Sequence, residues 1–159
     1  MKDQLQAWLR AESAPPSPSP LLSHAFRLHR AAYARAMSDV LSSGTSFDSI
    51  TLSPAEATYV RRLGICEERY PAHYCYANAR QLVLSTRRLT YHVGFAVRTV
   101  HSFPTQHAWA SLNGKVIDPT WNIYGVFAGH TAYHGVAVSR AQLGCHELVT
   151  LQNLRAPSR

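Results

Sequence analysis

The sequence predicts an α+β fold in which N-terminal helices precede an antiparallel sheet of four or five strands. Apolar residues recur with the period of a helix up to about residue 88, and after that point they alternate as in strands. An Asn-Gly pair at 113–114 separates two strand-like runs, which is the strongest short-range signal for a β-hairpin. Helices first and strands afterwards is the order typical of α+β proteins.

The chain is long enough for one domain with its own core, since it has 159 residues of which 46% are apolar. No apolar run approaches the roughly 18 residues that cross a membrane, and residues 1–13 lack the apolar stretch of a secretory signal. Three cysteines at unlike spacings imply no disulfide framework. We therefore expect a cytoplasmic protein that makes no membrane contact.

Residues 1–20 are predicted to be an N-terminal appendage, and residues 21–159 a single domain. Residues 1–12 are predicted to form a short helix, and the four prolines of residues 13–20 stop it and form a linker. Residues 21–42 have helical periodicity, and we expect this helix to stop at Gly44. Residues 43–52 are rich in Ser and Thr and are predicted to be a loop.

Two more helices are predicted before the strands. The pattern of a capping box at 53–56, with Pro54 at the first helical position, predicts a helix that ends near Gly64. A third helix is predicted over residues 75–88, because its apolar positions share one face. Strands are then predicted at residues 91–100, 107–112, 115–121 and 133–139, with a fifth at 147–151.

The turn at 113–114 sets the register of its hairpin, because a two-residue turn pairs Leu112 with Lys115. Counting outward from that pair places four side chains on one face of the sheet: His107, Trp109, Asp118 and Thr120. His107 and Asp118 are then diagonal neighbours, with Cα atoms about 7–8 Å apart and side chains able to meet. The register thus predicts a carboxylate that orients an imidazole.

Asp118 is the only carboxylate between Glu68 and Glu147, so carboxylate chemistry in this stretch depends on it. Cys75, at the predicted start of the third helix, is the candidate nucleophile, because helix N-terminal amides and a nearby imidazolium stabilise a thiolate. The three preceding residues include no Ser, Thr, Asp or Asn to cap the helix, which leaves its amides available to an oxyanion. Pro71 is the alternative first residue of this helix.

Five segments carry a family resemblance: CYANA at 75–79, YHVGFAV at 91–97, HAW at 107–109, NGKVIDPTW at 113–121 and YHGVAV at 133–138. Together they resemble the transglutaminase-like branch of the papain-like cysteine enzymes. The order Cys, His, Asp and the spacings of 32 and 11 residues agree with that branch. The resemblance covers about residues 66–140, and HAW followed by DPTW is its most specific part.

The resemblance implies a papain-like core in which the helix that bears Cys75 packs on the antiparallel sheet. It implies Cys75 as the nucleophile, His107 as the base and acid, and Asp118 as the residue that orients the histidine. The branch includes proteases, transglutaminases, deamidases, peptide N-glycanases and inactive binding modules. We therefore expect an enzyme that cleaves or transfers an amide through a Cys75 thioester, a peptidase or amidase first and a transglutaminase or deamidase second.

Three residues near the candidate triad are predicted to contact substrate: Trp109, Tyr74 and Asn78. Two of them have a structural alternative, which is core packing for Trp109 and local hydrogen bonding for Asn78. Tyr133 and Trp121 are expected to pack or to line the cleft. Cys66 and Cys145 lack partners of this kind and are expected to be packing residues.

A protein or peptide substrate is the expected partner, and no cofactor is expected. Three cysteines and nine histidines suggest zinc, but the spacing of Cys66, His73 and Cys75 matches no common ligand pattern. The net charge of +7, with 14 Arg and 2 Lys, favours anionic partners, although the arginines are dispersed. The alternative from another class is an inactive module on the same fold that binds protein or nucleic acid.

Overall fold

The fold is α+β, with a curled antiparallel sheet of five strands and a few helices. The computed structural model describes residues 7, 10, 35, 37–47, 52–98, 101–121, 131–144 and 149–150. Its elements are β1 (Thr45–Phe47), α1 (Pro54–Arg62), α2 (Cys75–Leu84), β2 (Thr90–Arg98), β3 (His101–Leu112), β4 (Lys115–Ile117), β5 (Thr131–Val138) and α3 (Arg140–Leu143). The strand order is β1-β5-β2-β3-β4. No helix within these residues has the length and apolar character needed to span a bilayer.

Helix α1 begins as its capping signal predicts. The Ser53 hydroxyl accepts from the backbone N–H of Glu56, and the Glu56 carboxylate accepts from the backbone N–H of Ser53 at 2.8 Å. Pro54 is the first helical residue, and Gly64 follows the helix with a positive φ of 61°. Glu56 also accepts from Lys115 Nζ at 2.5 Å, so the start of α1 is tied to the hairpin.

Several predicted boundaries are wrong, each for a local reason. Residues 37–42 are helical as predicted, and residue 43 extends this helix into the predicted loop. Residues 45–47 of that loop form the edge strand β1, which three residues are too few to reveal by alternation. Helix α2 ends at Leu84, four residues before the predicted end. Residues 149 and 150, in the predicted fifth strand, are not in a strand, so β1 provides the fifth strand instead. The predicted appendage and linker lie almost entirely outside the described residues.

The predicted strands differ from the observed ones mainly at their ends. β3 starts six residues earlier than predicted, where it pairs with β2, and Pro104 in that part hides the strand pattern. β4 stops at Ile117 rather than at residue 121. Ser139, predicted to end a strand, instead caps α3 in a capping box with Gln142.

The predicted hairpin register is confirmed. Leu112 pairs with Lys115, and the turn residues Asn113 and Gly114 have positive φ values of 52° and 77°. Both central residues of a type I′ turn require positive φ, which is why this sequence turns here. Because β4 ends at Ile117, the next residues leave the ladder and turn at the edge of the sheet.

The two faces of the sheet are covered differently. One face packs against α2 in the larger core, which includes Tyr91, Val93, Phe95, Ala108, Ala110, Leu112, Ala79, Leu82 and Val83. Strand side chains alternate between faces, so His107 lies on the opposite face with Trp109. The smaller cluster on that face comprises Phe47, Ala96, Trp109, Val116 and Tyr133, with Trp121 packed against it.

Two glycines lie in register with His107. Gly94 on β2 pairs with His107 on one side and with Gly135 of β5 on the other. A Cβ on Gly94 would overlap the backbone carbonyl of His134, and one on Gly135 would lie 2.5 Å from Cη2 of Trp109. Glycine at both positions therefore allows the close approach of β2 to β5 and leaves room for the tryptophan ring.

We expect Gly94→Ala to lower the free energy of unfolding by about 1–3 kcal/mol, because the added methyl group must displace the backbone of β5. Gly144→Ala is the matched control, because its φ is −71° and its Cβ would lie 3.5 Å from the nearest carbonyl, that of Ala141. We expect that control to change stability by less than about 0.5 kcal/mol. Urea denaturation measures both, and equal losses would contradict the close approach.

Candidate active site

Cys75 is the first residue of α2, and its side chain is half-buried. His73 has a φ of 69°, a left-handed conformation that no continuous helix from Pro71 could contain. The helix therefore begins at Cys75 rather than at Pro71. Tyr74, at the N-cap position, makes no side-chain capping hydrogen bond to the helix. The candidate nucleophile thus lies at a helix N-terminus that no side chain caps, as predicted.

His107 lies between Asp118 and Cys75. Its Nε2 donates to Oδ2 of Asp118 at 2.6 Å, and both side chains are buried. Cys75 lies near enough to His107 to raise the pKa of the imidazole. Since Nε2 is engaged by the carboxylate, the ring nitrogen left for the thiol is Nδ1. The predicted meeting of His107 and Asp118 is confirmed, and the structure adds Cys75 to the same chain of contacts.

The Asp118 carboxylate is fully buried and accepts four hydrogen bonds. On Oδ2 the donors are His107 Nε2 and the Tyr133 hydroxyl, the latter at 3.0 Å. On Oδ1 they are the backbone N–H groups of Thr120 at 2.9 Å and Trp121 at 3.0 Å. An Asp side chain that accepts from backbone N–H groups two and three residues later stabilises a turn. The DPTW segment therefore folds around its own carboxylate.

The protonation of His107 follows from these neighbours. Burial disfavours the imidazolium, but the charge of Asp118, its hydrogen bond and the smaller effects of Cys75 outweigh burial and raise the pKa of His107 from 6.5 to about 9. His107 therefore carries a proton at neutral pH, held between the carboxylate and the sulfur. This arrangement can stabilise a thiolate and later supply a proton.

Trp121 covers the imidazole of His107. The two rings are stacked, with centroids 3.9 Å apart and planes inclined by 21°. An aromatic face attracts a cation, so this stack favours the protonated ring. It also limits the access of water to the His107–Asp118 hydrogen bond.

Asn78 joins α2 to the turn that contains Asp118. Its Nδ2 donates to the carbonyl of Pro71 at 2.7 Å and to Oγ1 of Thr120 at 3.1 Å. The side chain is buried and makes the local hydrogen bonds of the structural alternative, and substrate contact stays a prediction for Asn78. Asn78 fixes the first turn of α2, and with it Cys75, relative to the Asp118 turn.

The other two predicted substrate residues lie in different environments. Trp109 is fully buried and stacks on His92, with centroids 5.6 Å apart and an interplanar angle of 9°. Trp109 belongs to the smaller core cluster, in agreement with the packing alternative, and substrate contact stays a prediction for this residue. Tyr74 is 63% exposed and adjacent to Cys75, and substrate contact stays a prediction for this residue as well.

Sequence reasoning missed the roles of Tyr133 and Trp121 at this site. Trp121 belongs to the DPTW motif, and that position was the available signal for it. Tyr133 has no local signal, because its contact with Asp118 depends on how β5 pairs in the sheet. Cys66 is exposed, against the expectation that it packs, and Cys145 lies outside the described residues. Within the described part of the chain, no cluster of three His, Cys, Asp or Glu residues could hold a metal ion.

Searches of protein-family models, of curated proteins and of solved structures find no match to this chain. The chemical interpretation of the site therefore depends on its own geometry.

We expect the charge of His107 to be measurable through the reactivity of Cys75. Iodoacetate is an anion that a neighbouring imidazolium attracts, whereas iodoacetamide is neutral. The ratio of the two alkylation rates at Cys75 should therefore fall as pH rises through about 9, where His107 loses its proton. Peptide mass spectrometry measures both rates at Cys75 and, as an internal reference, at the exposed Cys66.

The Asp118→Asn variant is the companion measurement. It removes the main cause that raises the pKa of His107, so the fall in the ratio should move to lower pH. A fall near pH 6.5 in the wild type, or the same midpoint in both proteins, would contradict the assigned pairing.

Proposed function

We propose that the protein is a thiol-dependent enzyme that cleaves or transfers an amide through a Cys75 thioester, with peptidase or amidase activity as the first candidate. One observation supports this more than any other, namely that the imidazole of His107 donates to the buried carboxylate of Asp118 and lies near Cys75 at the start of α2. The three residues come from the start of α2, from β3 and from the turn after β4. A nucleophile, a base and a residue that orients the base are what covalent acyl transfer requires.

The first step is the formation of the nucleophile. Cys75 and His107 form a thiolate–imidazolium pair, in which the proton of the Cys75 thiol resides on His107 and the imidazolium is held by the buried carboxylate of Asp118. The thiolate attacks the carbonyl carbon of the substrate amide, and the carbonyl π electrons move to oxygen. Amides in the first turn of a helix have no intrahelical acceptor. The backbone N–H groups at the start of α2 are therefore the candidate donors to this oxyanion.

The second step completes acylation. The tetrahedral intermediate collapses, the carbon–nitrogen bond breaks, and His107 gives its proton to the leaving amine. Cys75 is left as a thioester. Water that attacks the thioester with His107 as base yields a carboxylic acid, which is hydrolysis or, when ammonia was released, deamidation. An amine that attacks instead yields a new amide, which is transamidation.

A protein or peptide substrate is the partner that this chemistry fits best. We propose the transglutaminase-like form of the papain-like fold as the scaffold, because the elements carry the same order of Cys helix, His strand and Asp. We propose a cytoplasmic location, because Cys66 and Cys75 are both free thiols and the reaction needs Cys75 reduced.

We expect p-nitrophenyl acetate, an activated ester, to acetylate Cys75 in a burst of about one nitrophenol per chain. Cys75→Ala should abolish the burst, and His107→Ala should slow acylation by about 100-fold or more. Cys66→Ala is the matched control and should leave the burst unchanged. Stopped-flow absorbance gives the amplitude and rate, and mass spectrometry locates the acetyl group.

Hydroxylamine added in the same assay distinguishes hydrolysis from transfer, since an amine that resolves the thioester raises the steady-state rate above that in water alone. A wild type without a burst, or a burst that survives in Cys75→Ala, would contradict the proposed chemistry. The inactive binding module on the same fold would then be the better interpretation.

A further inference from the structure

Tyr133 reaches the candidate site from a distant strand. It lies on β5, which is separated from β4 in the sheet by β2 and β3, yet its hydroxyl donates to Oδ2 of Asp118 at 3.0 Å. This is the same oxygen that accepts from His107 Nε2. Tyr133 is almost fully buried, so the hydroxyl lies in the same poorly hydrated environment as the carboxylate.

Small residues on β2 make this reach possible. Tyr133 pairs with Ala96 on β2, and the neighbouring row on the same face holds Gly94. Along this face of β2, the side chains next to the tyrosine are therefore only the methyl group of Ala96 and the hydrogen atom of Gly94. The ring is held between Trp109, with centroids 5.1 Å apart, and Trp121, at 6.1 Å. Its position is therefore fixed by packing on both sides.

Two donors on one carboxylate oxygen affect each other. A hydroxyl that donates to Oδ2 neutralises part of its negative charge, and a hydrogen bond to a buried charge is stronger than one between neutral groups. The Asp118 oxygen therefore attracts the proton of His107 less strongly than it would alone. Tyr133 is neutral, so it has this effect without adding a charge to the site.

We propose that Tyr133 is a positioning residue of this site, whose hydroxyl shares the Asp118 oxygen with His107 and so limits how strongly the carboxylate holds the imidazolium proton. The inference rests on the proposed function, in which His107 must release that proton to the leaving amine. A general acid acts best when its pKa is close to the working pH, so a weaker hold on the proton favours acylation.

The groups that act on His107 come from three elements. Asp118 follows β4 and Cys75 begins α2, and both raise the pKa of His107. Tyr133 of β5 acts through Asp118. Among the described residues, removal of the Tyr133 hydroxyl leaves His107 as the donor to Oδ2, and so strengthens the remaining hydrogen bond.

The test is an NMR titration of His107 in protein labelled with ¹³C and ¹⁵N at histidine, with the signal assigned by its loss in His107→Gln. We expect Tyr133→Phe to raise the titration midpoint by about 0.5–1 pH unit. Tyr59→Phe is the matched control, because it removes a tyrosine hydrogen bond, 2.6 Å to Thr86, at the opposite end of α2 from Cys75. The control should leave the midpoint unchanged.

A tyrosine with only a packing role would also leave the midpoint unchanged in Tyr133→Phe, and that result, or a lower midpoint, overturns the proposal. Site-specific 3-fluorotyrosine at position 133 provides a second test that preserves packing. Fluorine makes the hydroxyl a stronger donor, so the His107 midpoint should move down instead of up. The same midpoint with 3-fluorotyrosine as with tyrosine would again overturn the proposal.

The titration needs no substrate, which separates this inference from the proposed function. A protein without acyl transfer still reports whether Tyr133 acts on His107. Conversely, an active enzyme with an unshifted midpoint in Tyr133→Phe retains the proposed function and loses this inference.

Discussion

The rest of the site depends on the hydrogen bonds that the buried carboxylate of Asp118 accepts. A buried charge without solvent lowers the stability of the fold unless several hydrogen-bond donors surround it. The described residues provide Asp118 with four such donors. Two are backbone N–H groups in its own turn, and two are side chains, His107 of β3 and Tyr133 of β5. Satisfying one carboxylate therefore fixes the turn, the imidazole and the tyrosine relative to one another.

Cys75 reaches His107 and Asp118 from the other face of the sheet. Helix α2 packs on the face opposite His107, and its first turn meets the site at the edge where β4 stops. Asn78 holds the first turn of α2 against the Asp118 turn through its hydrogen bond to Thr120, two residues after Asp118. Alignment of Cys75 with His107 thus depends on a buried amide that has no part in the proposed chemistry. Loss of such a contact would misplace the sulfur, and acyl transfer is sensitive to shifts of that kind.

The parts of the site that follow from local signals are predictable from sequence. Asn113 and Gly114 define a turn, the turn defines a register, and the register brings His107 to Asp118. The absence of capping residues before Cys75 likewise predicts a helix start that no side chain caps. What the sequence cannot show depends on pairing between distant segments. β1 is too short to display a pattern, and the contact of Tyr133 requires β5 to lie beside β2, where Tyr133 pairs with Ala96. The burial of Trp109 and Asn78 is a further case, because proximity to the triad in sequence does not reveal burial.

The most direct test of a linked Cys75, His107 and Asp118 is the rate of alkylation by iodoacetamide at pH 6, compared between Cys75 and Cys66 in one sample. Cys66 is the more exposed thiol, so access alone favours it. The account predicts that Cys75 nevertheless reacts at least about tenfold faster, and that His107→Ala removes this advantage. A wild type in which Cys66 reacts as fast as Cys75, or an advantage that persists without the imidazole, would contradict the account.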